Sequence, residues 1–71
     1  MKQYNGWTNW ETWETNLHLT NTQYYYNRAK HWARKSNFQM LRDLADHIIP
    51  DEEKINFDKV NWAEIAEGLK E

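Results

Sequence analysis

The side chains best suited to acid–base or metal chemistry are three histidines and a close pair of glutamates. His18, His31 and His47 are dispersed along the chain, with no His-x-x-x-His or His-Glu-x-x-His spacing to bind zinc locally. The absence of cysteine removes thiolate sites and disulfides as well. Glu11 and Glu14 lie beside Trp10 and Trp13, and an apolar wall can raise a carboxyl pKa enough to make a general acid. Both have simpler roles, Glu11 as part of a helix cap and Glu14 as a solvated acid of the first turn. His47, four residues after Asp43, is placed for a surface hydrogen bond. No nucleophile elbow, glycine-rich phosphate loop or Ser/His/Asp set occurs. A chain of 71 residues also leaves little room for an enclosed pocket of ~300 Å³ or more. The expectation is a protein that is not an enzyme and that uses no metal or cofactor.

Residues suited to binding are more prominent. Tyr24, Tyr25 and Tyr26 precede a basic run in which Arg28, Lys30, Arg34 and Lys35 could contact phosphates while a tyrosine stacks on an unpaired base. Against this stands a net charge of −2 and a pI near 5.9, whereas nucleic-acid modules carry a basic footprint. The charge is divided, however. Residues 1–42 hold six Lys/Arg against two acids, a net of +4, and residues 43–71 hold three Lys against nine acids, a net of −6. A plain reading is that the two halves attract, with Asp43, Asp46 and the acidic stretch after them neutralising a solvated basic helix. Protein contact is the other binding class, because Trp, Tyr and Arg dominate interface hot spots and the chain has five Trp. Trp7, Asn9, Tyr24 and Tyr26 are the candidates. Trp7 and Asn9 have no evident structural assignment, although Trp7 could pack across a helix start. An exposed aromatic cluster would also support a homodimer, another way for a small domain to complete its core.

The elements that must position these residues are helical. Two glycines and one proline are few for a loop-rich or all-β domain. Asn5-Gly6 is a turn signal. Thr8 with Glu11 three residues on forms a capping box, and Trp10, Trp13, Leu17 and Thr20 then mark one helical face. Leu19 lies off that face, near a frayed end. Thr20-Asn21-Thr22 and Ser36-Asn37 are breaks rich in cap formers. Between them Tyr25, Ala29, Trp32 and Ala33 share a face. Phe38, Leu41, Leu44, Ala45 and Ile48 form the most regular amphipathic segment, which Pro50 ends. Asp51-Glu52-Glu53 suits a short helical turn, and Ile55 and Phe57 pin the following loop to the core. Asn61 and Glu64 repeat the cap logic, ahead of an apolar face of Trp62, Ile65, Ala66 and Leu69. The expected fold is a single all-α domain of three to four short helices, about 9–19, 23–35, 37–48 and 62–70, with residues 1–5 flexible and 50–60 a loop. The first and last helices are expected to pack near each other around the third. No apolar run reaches the ~18 residues that span a membrane, and the N-terminal residues lack a signal-peptide core, so a cytoplasmic location is expected.

Asn5-Gly6-Trp7-Thr8-Asn9-Trp10-Glu11-Thr12-Trp13 resembles the Asn-Gly-Trp-Thr-Asn-Tyr-Glu-Thr-Trp signature of a family of small proteins from bacteriophages, plasmids and cyanobacterial genomes. The likeness continues through Leu17-His18-Leu19, and Val60-Asn61-Trp62-Ala63-Glu64-Ile65-Ala66 resembles that family's closing segment. Trp10 departs from the usual Tyr, and residues 21–59 match only in helical character. The family is a domain of unknown function, so it brings no binding residues with it. What the resemblance implies is a phage or mobile-element accessory protein in the host cytoplasm, binding a host or phage protein as an inhibitor or modulator. Nucleic-acid binding through the second helix is the alternative. The two differ in what the fold should leave on the surface: a contiguous aromatic patch or a contiguous basic one.

Overall fold

The computed structural model describes residues 4–70. Residues 1–3 and 71 lie outside it, and with them most of the segment expected to be flexible. Tyr4 and Asn5, within that segment, are held. Tyr4 and Trp7 exchange backbone hydrogen bonds of 3.0 and 2.7 Å across an isolated antiparallel bridge. Asn5 and Gly6 between them have φ of 49° and 89°, as a tight type I′ turn requires. The Tyr4 ring lies 4.8 Å from that of Trp13.

Four α-helices follow, α1 (Trp10–Thr20), α2 (Gln23–Arg34), α3 (Phe38–Ile48) and α4 (Trp62–Leu69), with two short 3-10 turns, Asp51–Glu53 and Phe57–Lys59, between α3 and α4. The expected all-α class and the four helix ranges hold to within one residue at each end. The segment from 50 to 60 contains both 3-10 turns, the second of them unforeseen. Ile55 and Phe57 do pack on the core. Asparagine caps recur. Asn37 accepts from the Met40 amide at 3.1 Å, Asn56 from Asp58 at 3.0 Å and Asn61 from Glu64 at 3.1 Å. Each satisfies an amide that the first helical turn leaves without a partner.

The start of α1 departs from expectation. Its cap is Asn9 and not Thr8. The Asn9 carboxamide oxygen accepts from both the Thr12 amide, at 2.9 Å, and the Thr12 hydroxyl, at 2.6 Å. Thr8 instead donates its backbone N–H to the Glu64 carboxylate at 3.1 Å, so the Thr8–Glu11 box gives way to a contact across the fold.

The inward face of α1 is also not the one its indoles mark. Thr12, Thr15 and Leu19 are fully buried, whereas Leu17 is 44% exposed. None of the five tryptophans is buried; all are half-buried. The centre is instead Leu19, Leu41, Ile65 and Leu69 with Ala29, Ala33, Ala45 and Ala66. Alanines let helix axes approach closely, which leaves no room for an indole between them. Trp7, Trp32 and Trp62 therefore pack against that small-residue core from outside, in keeping with the rarity of fully buried tryptophan. Every pair of helices touches, and α2 makes the most extensive contacts, above all with α4. The first and last helices do meet, but α2 rather than α3 is the element around which the others gather.

Candidate functional site

Residues near the two ends of the chain meet in space. Thr8, Asn9 and Thr12 stand at the N-terminal end of α1, and Lys59, Asn61 and Glu64 at that of α4. The Asn61 amide donates to the Thr12 hydroxyl at 2.9 Å, and the Asn9 side-chain amide donates to the Lys59 carbonyl at 2.8 Å. The Asn61 side-chain amide reaches the Thr8 hydroxyl at 3.5 Å. Together with the Thr8–Glu64 bond, these four contacts join positions about fifty residues apart in sequence. Residues 8–12 and 59–64 thus form a clasp between two helix starts. Glu64 lies where the partial positive ends of α1 and α4 come together, a favourable place for a carboxylate.

That geometry gives Asn9 a structural task on both ends of its amide. Trp7 has one too. It packs on the core, and its ring lies over Gly68 of α4, where an added Cβ would come within 3.7 Å of it. Tyr26 is half-buried against the core, with the Lys30 ammonium 5.3 Å from its ring centre. Of the four side chains expected to make a protein contact, only Tyr24, 61% exposed, stands on the surface. Among the described residues the exposed large apolar side chains are Tyr4, Leu17, Tyr24 and Phe38, one each on the N-terminal turn, α1, α2 and α3. They do not include a tryptophan, and they do not lie on one element.

The outward face of α2 is different. Tyr24, Asn27, Arg28, His31, Arg34 and Lys35 are all exposed, and their spacing sets them along one side of the helix. No acid lies between Glu14 and Asp43 in the sequence, so this side is uniformly neutral or basic. Arg42 pairs with Asp58 at 3.1 Å and Lys70 with Glu67 at 3.7 Å. Among the described residues Arg28, Arg34 and Lys35 have no such acidic partner, so the expected neutralisation by Asp43, Asp46 and the acidic stretch does not reach them. Asp43 instead accepts from Gln39 at 2.9 Å, and the His47 ring faces Tyr25 edge-on rather than Asp43. The Arg28 guanidinium sits 5.8 Å from the Tyr24 ring centre. Two open depressions flank the ridge. One, of about 560 Å³, is lined by Asn27, Lys30, His31, Arg34 and Lys35. The other, of about 480 Å³, is lined by Tyr24, Asn27, Arg28, His31 and Trp32.

A second group was missed by motif reading. Glu14 and His18, one turn apart on α1, face Glu53 of the first 3-10 turn. The His18 Nε2 lies 3.3 Å from Glu14 and 3.8 Å from Glu53. The i, i+4 spacing of Glu14 and His18 is legible in the sequence. The arrival of Glu53 depends on how the chain returns after Pro50 and is not.

No helix among the described residues is long and apolar enough to cross a membrane. Neither the curated proteins nor the solved structures hold a significant match to the chain. The model of a family of unknown function, DUF7249, matches the whole of residues 1–71, and the chain belongs to that family.

Proposed function

We propose that the protein is a phage or mobile-element accessory factor that acts by binding, and that the outward face of α2 contacts the phosphate backbone of a nucleic acid in the host cytoplasm. The observation that carries this reading is the set of exposed cations, Arg28, Arg34 and Lys35, without acidic partners among the described residues on a helix with no acid of its own. From residue 28 to residue 35 the helix rises ~10 Å at ~1.5 Å per residue. That is close to three phosphate-to-phosphate steps along one strand, at ~3.4 Å each. Arg28 and Arg34 would hold the strand, with Lys35 and the half-buried Lys30 at its edge, and Tyr24 would offer a stacking surface to an unpaired base. The acidic composition of residues 43–71 sets a weak, salt-sensitive affinity and keeps the opposite faces off the polyanion.

A protein partner is the second reading. It is favoured by the depression where Tyr24, Arg28 and Trp32 meet, since these are hot-spot residue types. It would place an acidic protein surface, rather than a strand, against α2. Fluorescence anisotropy with single- and double-stranded DNA and RNA at about 50 mM salt separates the two. Binding that weakens steeply as salt rises supports the nucleic-acid reading. No binding to any of the four sinks it, and a stoichiometric host or phage protein recovered with wild type but not with Tyr24→Ala would establish the second.

A further inference from the structure

We propose that Glu14, His18 and Glu53 form a binding site for a divalent transition ion of the zinc class, tying α1 to the turn after α3. One donor atom from each of the three side chains lies within 4.8 Å of the others. The nearest pair, at 3.3 Å, already has the separation of two tetrahedral ligands, which bonds of ~2.0–2.2 Å set at ~3.3–3.5 Å. The His18–Glu53 pair is at 3.8 Å.

Two elements make the convergence. Residues four apart on α1 project from one side of the helix, so Glu14 and His18 form a natural chelating pair. Glu53 ends a 3-10 turn that follows Pro50 and closes on Lys54, whose φ of 54° is left-handed and whose amide donates to the Asp51 carbonyl. Ile55, just beyond, packs on the core. The turn is thereby fixed at both ends while its acid reaches α1. All three side chains are between about a fifth and about two fifths exposed, and a depression of about 260 Å³ lined by Glu14, Leu17, His18 and Asn21 opens beside them. A fourth ligand position is thus accessible to water.

Charge points the same way. Among the described residues no Lys or Arg pairs with Glu14 or Glu53, so even a protonated His18 leaves the cluster one negative charge in excess. A divalent ion on neutral imidazole brings it to zero. One imidazole nitrogen with two carboxylate oxygens suits zinc and its first-row neighbours better than calcium or magnesium, which take oxygen alone. The ion would act as the cross-link that a small domain without cysteine otherwise lacks.

The test is isothermal titration and thermal unfolding of the chelator-treated protein with Zn²⁺, with Mg²⁺ and Ca²⁺ as controls. Saturating Zn²⁺ should bind at one ion per chain and raise Tm by at least about 5 °C, and the other two ions should not. His18→Gln and Glu53→Gln should keep the wild-type helical spectrum and lose the response. Glu53→Gln, on a surface turn, serves if the helix variant is unstable. Absence of a Zn²⁺ response in wild type would overturn the site. So would an undiminished response in either variant, which would put the ion elsewhere, or an equal response to Ca²⁺, which would remove the imidazole from it.

Discussion

Thr12 and Thr15 occupy neighbouring inward positions of α1, both fully buried, and their hydroxyls fare oppositely. The Thr12 hydroxyl donates to Asn9 and accepts from the Asn61 amide. The Thr15 hydroxyl is buried with no hydrogen-bond partner. An unsatisfied buried polar atom costs ~1–3 kcal/mol, whereas a lost pair leaves its partners stranded. Thr15→Val should therefore stabilise the protein by about 1 kcal/mol, and Thr12→Val should destabilise it by about 2 kcal/mol. Chemical denaturation of the two variants reads both signs, and equal effects would mean that burial alone governs these sites. Ser36 supplies a second residue-scale case. It follows α2 at φ 54°, in the left-handed position where glycine carries no Cβ penalty. Ser36→Gly should raise stability by about 0.5–1 kcal/mol, seen as a higher midpoint in urea.

Among the elements, the pairing of α1 with α4 matters most, because it joins the two ends of the chain. Asn61 caps α4 with its side chain, donates its backbone N–H to Thr12 and reaches Thr8 with its amide. Asn61→Ala removes the first and third of these contacts and should cost about 1–2 kcal/mol. Trp7→Ala, which strips the indole from Gly68 and the core, should cost about 2–4 kcal/mol, a large part of the margin of a chain this small. Loss of a partner by a Trp7→Ala protein that keeps wild-type stability would instead make Trp7 a surface residue. The helix boundaries were readable because asparagine, proline and the Ser36-Asn37 break act locally. The inward face of α1 was not. Apolar periodicity favours Trp10 and Trp13, yet the spacing set by alanines on α2, α3 and α4 admits threonine and excludes indole. Glu64 was legible as the N3 acid of its own helix, but its bond to Thr8 depends on a juxtaposition that no local pattern encodes.

At the scale of the molecule, the charge asymmetry between the halves did survive folding as a surface property. The acid-free stretch from Thr15 to Arg42 contains all of α2. Arg42 pairs with Asp58 at 3.1 Å across the fold, whereas the exposed Arg28, Arg34 and Lys35, on α2 and just after it, have no acidic partner among the described residues; Lys30 is half-buried over Tyr26. Tyr24 and the basic residues were visible in the sequence as a possible site. Which of the three consecutive tyrosines would remain outside was not, since Tyr26 turns to the core and Tyr25 sits edge-on to both Tyr24 and His47. The account's central claim is that the exposed cations Arg28, Arg34 and Lys35 meet phosphates. The most direct measurement is the dependence of log K on log salt for a single-stranded oligonucleotide, comparing wild type with the Arg28→Ala/Arg34→Ala/Lys35→Ala triple variant. Each phosphate contact contributes a slope of ~0.7, so the variant should lose ~2 units of slope while keeping its helical spectrum and Tm within a few degrees. Equal slopes and affinities for the two proteins would contradict the claim.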